Sequence, residues 1–175
     1  MDLLDDTLVP EHARDIKQEA REFAEEHIEP NAEEYHRSGE YPWEILEAGM
    51  DANLIAQDIS EEYGGRGLDL PQVLAIAEEF YRADAGIALT LQLASFGAAI
   101  VEKYGSETQK EERLRPVAEN EQLSGLAVSE PETGSELAGL ETTAATEGHE
   151  LVLNGVKYRN GDGAEADWVS VYRRA

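Results

Sequence analysis

The chain has 175 residues, enough for one ordinary domain or for one domain and part of a second. Its 38 acidic residues against 14 basic ones give a net charge of -24, which argues against nucleic acid and anionic membranes as partners. The acids are spread along most of the helical segments and form no tail, so they suit a surface adapted to high salt, where screening relieves self-repulsion. No cysteine is present, which removes disulfides, thiolate metal sites and a cysteine nucleophile. His12, His27, His36 and His149 lack metal-ligand spacing and are expected on solvated surface.

The amino terminus, Met1 to Leu8, is acidic and has neither a basic region nor an apolar run, so no signal peptide is visible and a cytoplasmic location is expected. Pro10 can open a helix in which Ala13, Ile16, Ala20, Phe23, Ala24 and Ile28 recur at helical spacing up to a kink at Pro30, and Ser38-Gly39 ends its continuation. Pro42 opens a second helix with Trp43, Leu46 and Met50 inward. Tyr63-Gly64-Gly65-Arg66-Gly67 is rich in glycine but lacks the preceding strand and the spacing of a dinucleotide loop, so it is expected to be structural. Pro71 starts a third helix, with Val73, Leu74, Ala77 and Phe80 toward a core and Glu78, Glu79 and Arg82 toward water.

From Ala85 to Val101 no residue is charged. That run is shorter than the roughly 20 apolar residues of a membrane span and carries Thr90, Gln92 and Ser95, so it is expected to form the buried central helix of a bundle, capped by Asp84. Gly105 ends it, and Ser106 with Gln109 forms the capping box of a further helix carrying Leu114, Val117 and Ala118.

After Asn120 the period changes to that of short strands. Leu126-Ala127-Val128 reads as a strand entering the loop S-E-P-E-T-G-S-E, in which Pro131 extends Glu130 and Gly134 permits a turn. Such a loop exposes hydroxyls and amides beside an apolar wall, which suits a planar ligand or a phosphate, and equally serves as a plain turn between strands. Gly148 can turn a hairpin from Thr142–Thr146 to Leu151–Leu153, and Asn154-Gly155 is the strongest hairpin signal, joining Leu151–Leu153 to Val156–Tyr158. Trp168 to Tyr172 reads as one more strand. The expected fold class is α+β, with an all-α helical bundle over residues 1–121 and the start of an antiparallel β domain over residues 122–175.

A helical bundle followed by A-V-S-E-P-E-T-G-S-E, a hairpin at L-V-L-N-G-V-K and then G-A-E-A-D-W-V-S-V-Y resembles the amino-terminal half of the acyl-CoA dehydrogenases. The pieces E-E-Y-G-G-R-G-L, E-E-F-Y-R-A-D-A and Y-G-S-E-T-Q-K extend the resemblance over the helices, in the family's order. It implies that Leu126 to Ser135 bind FAD, with Leu126, Val128, Ser129, Gly134 and Ser135 as cofactor residues and Ser135 also touching the acyl-CoA. Two departures follow. Glu132 stands at a family glycine, and Arg159 and Asn160 stand where the family has tryptophan and isoleucine against the flavin. The resemblance further implies α,β-dehydrogenation of an acyl-CoA in fatty acid β-oxidation, with electrons passing to an electron-transferring flavoprotein. The family's glutamate base and most oligomer contacts lie in a carboxy-terminal helical domain that would follow Ala175, so no catalytic or metal-ligating residue is assigned within these 175 residues. The alternatives are a non-catalytic remnant that has lost flavin binding and an amino-terminal half complemented by a separate polypeptide.

Overall fold

Why the first helix buries one face follows from its spacing. A computed structural model describes residues 8–174, and the Met1–Thr7 part of the acidic amino terminus lies outside them. After a single 3-10 turn at Glu11–Ala13, helix α1 (Arg14–Phe23) runs into a π turn at Ala24–Ile28. Ala13, Ile16, Ala20, Phe23, Ala24 and Ile28 are all buried, as their period demands. The π turn, with Glu29 N–H bonded to the Ala24 carbonyl at 2.9 Å, widens the helix immediately before Pro30, whose ring would clash with a regular preceding turn. Helix α2 (Ala32–Ser38) ends at Gly39, which takes the left-handed conformation a C-cap requires.

Helix α3 (Trp43–Asp51) rotates away from its expected face. Ile45, Leu46 and Gly49 are buried, Met50 is half-buried, and Trp43 is largely at the surface with its ring 4.9 Å from that of Tyr41. The glycine-rich turn is structural, since a Cβ on Gly65 would lie 2.0 Å from the Ile59 carbonyl oxygen.

Helix α4 (Leu70–Ala83) starts at a reciprocal capping box between Asp69 and Gln72, with Pro71 in its first turn. Its core face differs from the expected one: Ala75, Ile76 and Phe80 are buried, while Leu74 is 51% exposed and Val73 and Ala77 are half-buried. Glu78 and Glu79 face α1, not water. Glu79 accepts from Arg21 at 2.9 Å and from Arg82 at 3.1 Å, and Lys17 lies 3.0 Å from Glu78. Burial of carboxylates is tolerated here because α1 supplies the cations, two of them four residues apart on one face.

The expected single central helix is broken. Asp84 caps α5 (Ala85–Leu93) by accepting from the Gly86 and Ile87 amides, four residues of turn follow, and α6 (Ala98–Tyr104) resumes. The break is made by strand β1 (Ser124–Ala127). Ser124 N–H donates to the Ala94 carbonyl at 2.8 Å, Gly97 N–H donates to the Ser124 carbonyl at 3.1 Å, and the Ser124 hydroxyl accepts from Ala98 N–H. Nor is the segment wholly buried, because Leu89 and Phe96 are about half exposed. Ala85–Tyr104, at 20 residues, is long and apolar enough by length and composition to cross a bilayer. Here it is interrupted, and Ile87, Ala88, Leu91, Ala94 and Ala98 belong to the core. Helix α7 (Glu107–Ala118) carries the expected Ser106–Gln109 capping box and buries Leu114, Val117 and Ala118.

Strand β1 pairs in parallel with β4 (Trp168–Val171), from Ser124 opposite Trp168 to Ala127 opposite Val171. The start of the expected antiparallel β domain thus includes one parallel ladder. Strands joined by a crossover of this length are free to run parallel, and Asp167 fixes the register through its backbone and carboxylate bonds to Leu123. The hairpin at Gly148 forms between β2 (Thr143–Glu147) and β3 (Glu150–Asn154). The Asn154-Gly155 hairpin does not, and Val128 and Val156–Tyr158 lie outside any strand. Neither Asn154 nor Gly155 has the positive φ that a two-residue turn needs. Gly155 instead admits Thr142, whose Cα would be 2.8 Å from a Cβ at that position.

Candidate functional site

The end of β1 and the loop after it are organised by one buried carboxylate. Glu130 accepts from the Thr142 hydroxyl, from the Glu141 and Thr142 amides at 2.6 and 2.9 Å, and from Lys157 Nζ at 2.9 Å. These donors, the Thr142 hydroxyl first and the Glu141 amide next, hold its carboxyl at about 2, far below the ordinary range. Its backbone closes the turn through Pro131 and Glu132, because Glu130 N–H donates to the Thr133 carbonyl at 2.8 Å and Thr133 N–H donates back at 3.1 Å. Lys157 makes a second bond, to the Val128 carbonyl at 2.8 Å, and Tyr158 N–H donates to the Ser129 carbonyl at the same distance.

The five residues expected to bind a cofactor fall into two groups. Leu126, Val128 and Ser129 lie along the strand end, half-buried, with Leu126 bridged to Gly161. Gly134 and Ser135 follow the turn and are exposed, and a Cβ on Gly134 would meet nothing within 4 Å. Neither the hydroxyl nor the N–H of Ser129 finds an acceptor among the described residues. Two adjacent, half-buried donors without acceptors fit the polar edge of a flavin.

The neighbouring segment carries the departures. Arg159, at positive φ, is exposed and its guanidinium lies 5.2 Å from the Tyr158 ring centroid, so the aromatic group beside Ser129 is Tyr158. Glu132 is exposed at the tip of its turn. Gly161 packs on Leu93, where a Cβ would lie 2.2 Å from a side-chain methyl. Burial pushes the Asp162 carboxyl up to about 6, against a lowering by Tyr41 and with a further rise from Glu165. Leu93 also lines a groove of about 320 Å³ between α4 and α5, with Leu54, Val73, Leu74, Leu89 and Phe96. Among the described residues no group of three acidic or histidine side chains could hold a metal. His12 bonds Asp69 at 2.9 Å, and the His27 ring packs 4.8 Å from Phe23.

Glu130, Thr142 and Lys157 escaped sequence reasoning. The available clue was scarcity: the chain has only four lysines, and one of them stands three residues past the hairpin.

Residues 10–121 match the family described as the acyl-CoA dehydrogenase amino-terminal domain. A probable medium-chain specific acyl-CoA dehydrogenase 2, mitochondrial, of Caenorhabditis briggsae is 32% identical over 165 residues, 94% of this chain and 40% of the relative. A glutaryl-CoA dehydrogenase from Mycobacterium smegmatis, solved in complex with FADH2, superposes with a TM-score of 0.86 at 27% identity, over 96% of this chain and 44% of that one. A chain solved in work on the electron transferring flavoprotein of Acidaminococcus fermentans superposes at 0.84 with 31% identity, over 96% and 44%. The chain thus spans less than half the length of the proteins it matches. A helical bundle over residues matched by that domain, leading through a broken helix into a strand and a glutamate-centred loop, makes this chain a member of the acyl-CoA dehydrogenase family.

Proposed function

We propose that this chain supplies the amino-terminal part of a FAD-dependent acyl-CoA dehydrogenase site. The observation that carries this is the strand end at Val128 and Ser129, where two half-buried donors of Ser129 have no acceptor among the described residues, in the stretch that the family resemblance associates with the flavin. FAD supplies a two-electron acceptor for the hydride that leaves the β carbon of an acyl thioester. The residues of this chain bind and orient: Ser129 donates to the ring edge, Ser135 touches both cofactor and acyl-CoA, and the apolar groove at Leu74, Leu89 and Phe96 receives acyl methylenes. The α-proton base and most residues that shape the bottom of the acyl pocket belong to the carboxy-terminal half of the family fold. An electron-transferring flavoprotein is the acceptor we assign, supported by the neighbour solved in that context.

Arg159 at the tryptophan position favours a second reading, in which the chain keeps the helical domain and has lost the flavin. Titration of the 175-residue chain with FAD at high salt, followed by flavin absorbance and fluorescence, separates the two. Saturable binding weakened by Ser129→Ala and Ser135→Ala supports the first. No binding to a chain with intact helical circular dichroism supports the second.

A further inference from the structure

The Lys157–Glu130 pair does more than join two strand ends. Lys157 is 9% exposed at its side chain and Glu130 5%, and the lysine divides its donors between that carboxylate and the Val128 carbonyl. A planar trans peptide points its N–H opposite to its C=O. Holding the Val128 carbonyl toward Lys157 therefore turns the Ser129 N–H to the opposite side, away from the ion pair. The next peptide is fixed as well, because the Ser129 carbonyl is taken by Tyr158 and the Glu130 N–H by Thr133. Of these consecutive groups, the Ser129 N–H alone is left without an acceptor among the described residues. Glu130 holds the lysine in place and ties it to Thr142 at the foot of β2, so both ends of the β2–β3 hairpin bear on one peptide.

We infer that Lys157, held by Glu130, is a positioning residue that presents the Ser129 N–H and hydroxyl to the flavin. This rests on the reading of the loop as a flavin site. Removing the ammonium frees the Val128–Ser129 peptide to rotate, with the buried Glu130 carboxylate left short of its cation. An arginine retains the charge and can reach the same acceptors.

The test compares the 175-residue wild type with Lys157→Met and Lys157→Arg in two measurements: amide hydrogen exchange over residues 126–135 without ligand, and titration with FAD. Expected for Lys157→Met are faster exchange at Ser129 and Glu130, binding weaker by about tenfold or more, and a shifted absorption band of the bound flavin, with helical circular dichroism unchanged. Lys157→Arg is expected to restore most of each. Unchanged exchange in Lys157→Met, or wild-type FAD affinity despite faster exchange, overturns the inference. If the wild type takes up no FAD, it is the flavin reading that fails; faster exchange then still shows that Lys157 sets the peptide, and unchanged exchange refutes it. If Lys157→Met does not fold, Glu130→Gln, which keeps the lysine and removes its counter-charge, carries the same comparison.

Discussion

Gly97 and Gly125 lie against one another where the apolar helical segment meets the first strand: a Cβ on Gly97 would sit 2.3 Å from the Gly125 carbonyl oxygen. Backbone stands on both sides of that contact, so neither can yield as a side chain would. Gly97→Ala is expected to cost about 1–3 kcal/mol by forcing α6 away from β1. Gly134→Ala, with open space around it, is expected to stay within about 0.5 kcal/mol of wild type. Denaturant midpoints check both, and equal midpoints would refute the contact.

The network between α1 and α4 predicts a contrast between two glutamates. Glu79 is fully buried beneath Arg21 and Arg82, so Glu79→Ala is expected to destabilise by about 3 kcal/mol, the lower end for a broken buried pair because both arginines keep partial access to water. Glu111 pairs with Arg115 at the surface, and Glu111→Ala is expected to cost no more than about 0.5 kcal/mol. Thermal unfolding of the two variants side by side measures the difference.

Two carboxyls titrate in opposite senses. Glu130 has its folded value lowered from 4.5 to about 2, so its stabilisation is present above pH 4.5 and is lost as pH falls through about 2. Asp162 has its folded value raised from 3.8 to about 6, so the stability associated with its proton is present below 3.8 and is lost as pH rises through about 6. Glu130→Gln should flatten the acid limb of a stability–pH curve, and Asp162→Asn should remove the decline between pH 4 and 6. Wild-type curves in both variants would show that neither shift is real.

The net charge of -24 predicts that salt stabilises the fold. Added sodium chloride is expected to raise the melting temperature steadily as it screens repulsion among exposed carboxylates. A flat or falling response would remove the case for a surface suited to high salt.

How far the fold was legible varied with the origin of each constraint. The buried face of α1 and the caps at Asp84 and Ser106 are written in residues one or two turns apart, and they stand as expected. Helix α4 carries two apolar stripes, one in the core and one on the groove, and periodicity alone cannot say which is which. Glu78 and Glu79 look like solvent residues until α1, some sixty residues earlier, brings its cations against them. The break in the central helix is imposed by Ser124, thirty residues downstream of Ala94, and the parallel β1–β4 ladder likewise joins segments that no local turn connects. In the candidate site, Val128, Ser129 and Ser135 were named through the family pattern, and the structure sets the first two half-buried at the strand end and Ser135 exposed beyond the turn. Lys157 was not, because its role depends on a carboxylate 27 positions away.

Two of the four lysines, Lys17 and Lys157, are sealed in ion pairs. The remaining side-chain amines, Lys103 and Lys110, belong to α6 and α7, with Tyr104 exposed between them. An amine-directed reagent, whether a fluorophore, a biotin ester or a resin, therefore meets this protein's lysines at one corner, and attaches there without touching the pair that shapes the Ser129 peptide.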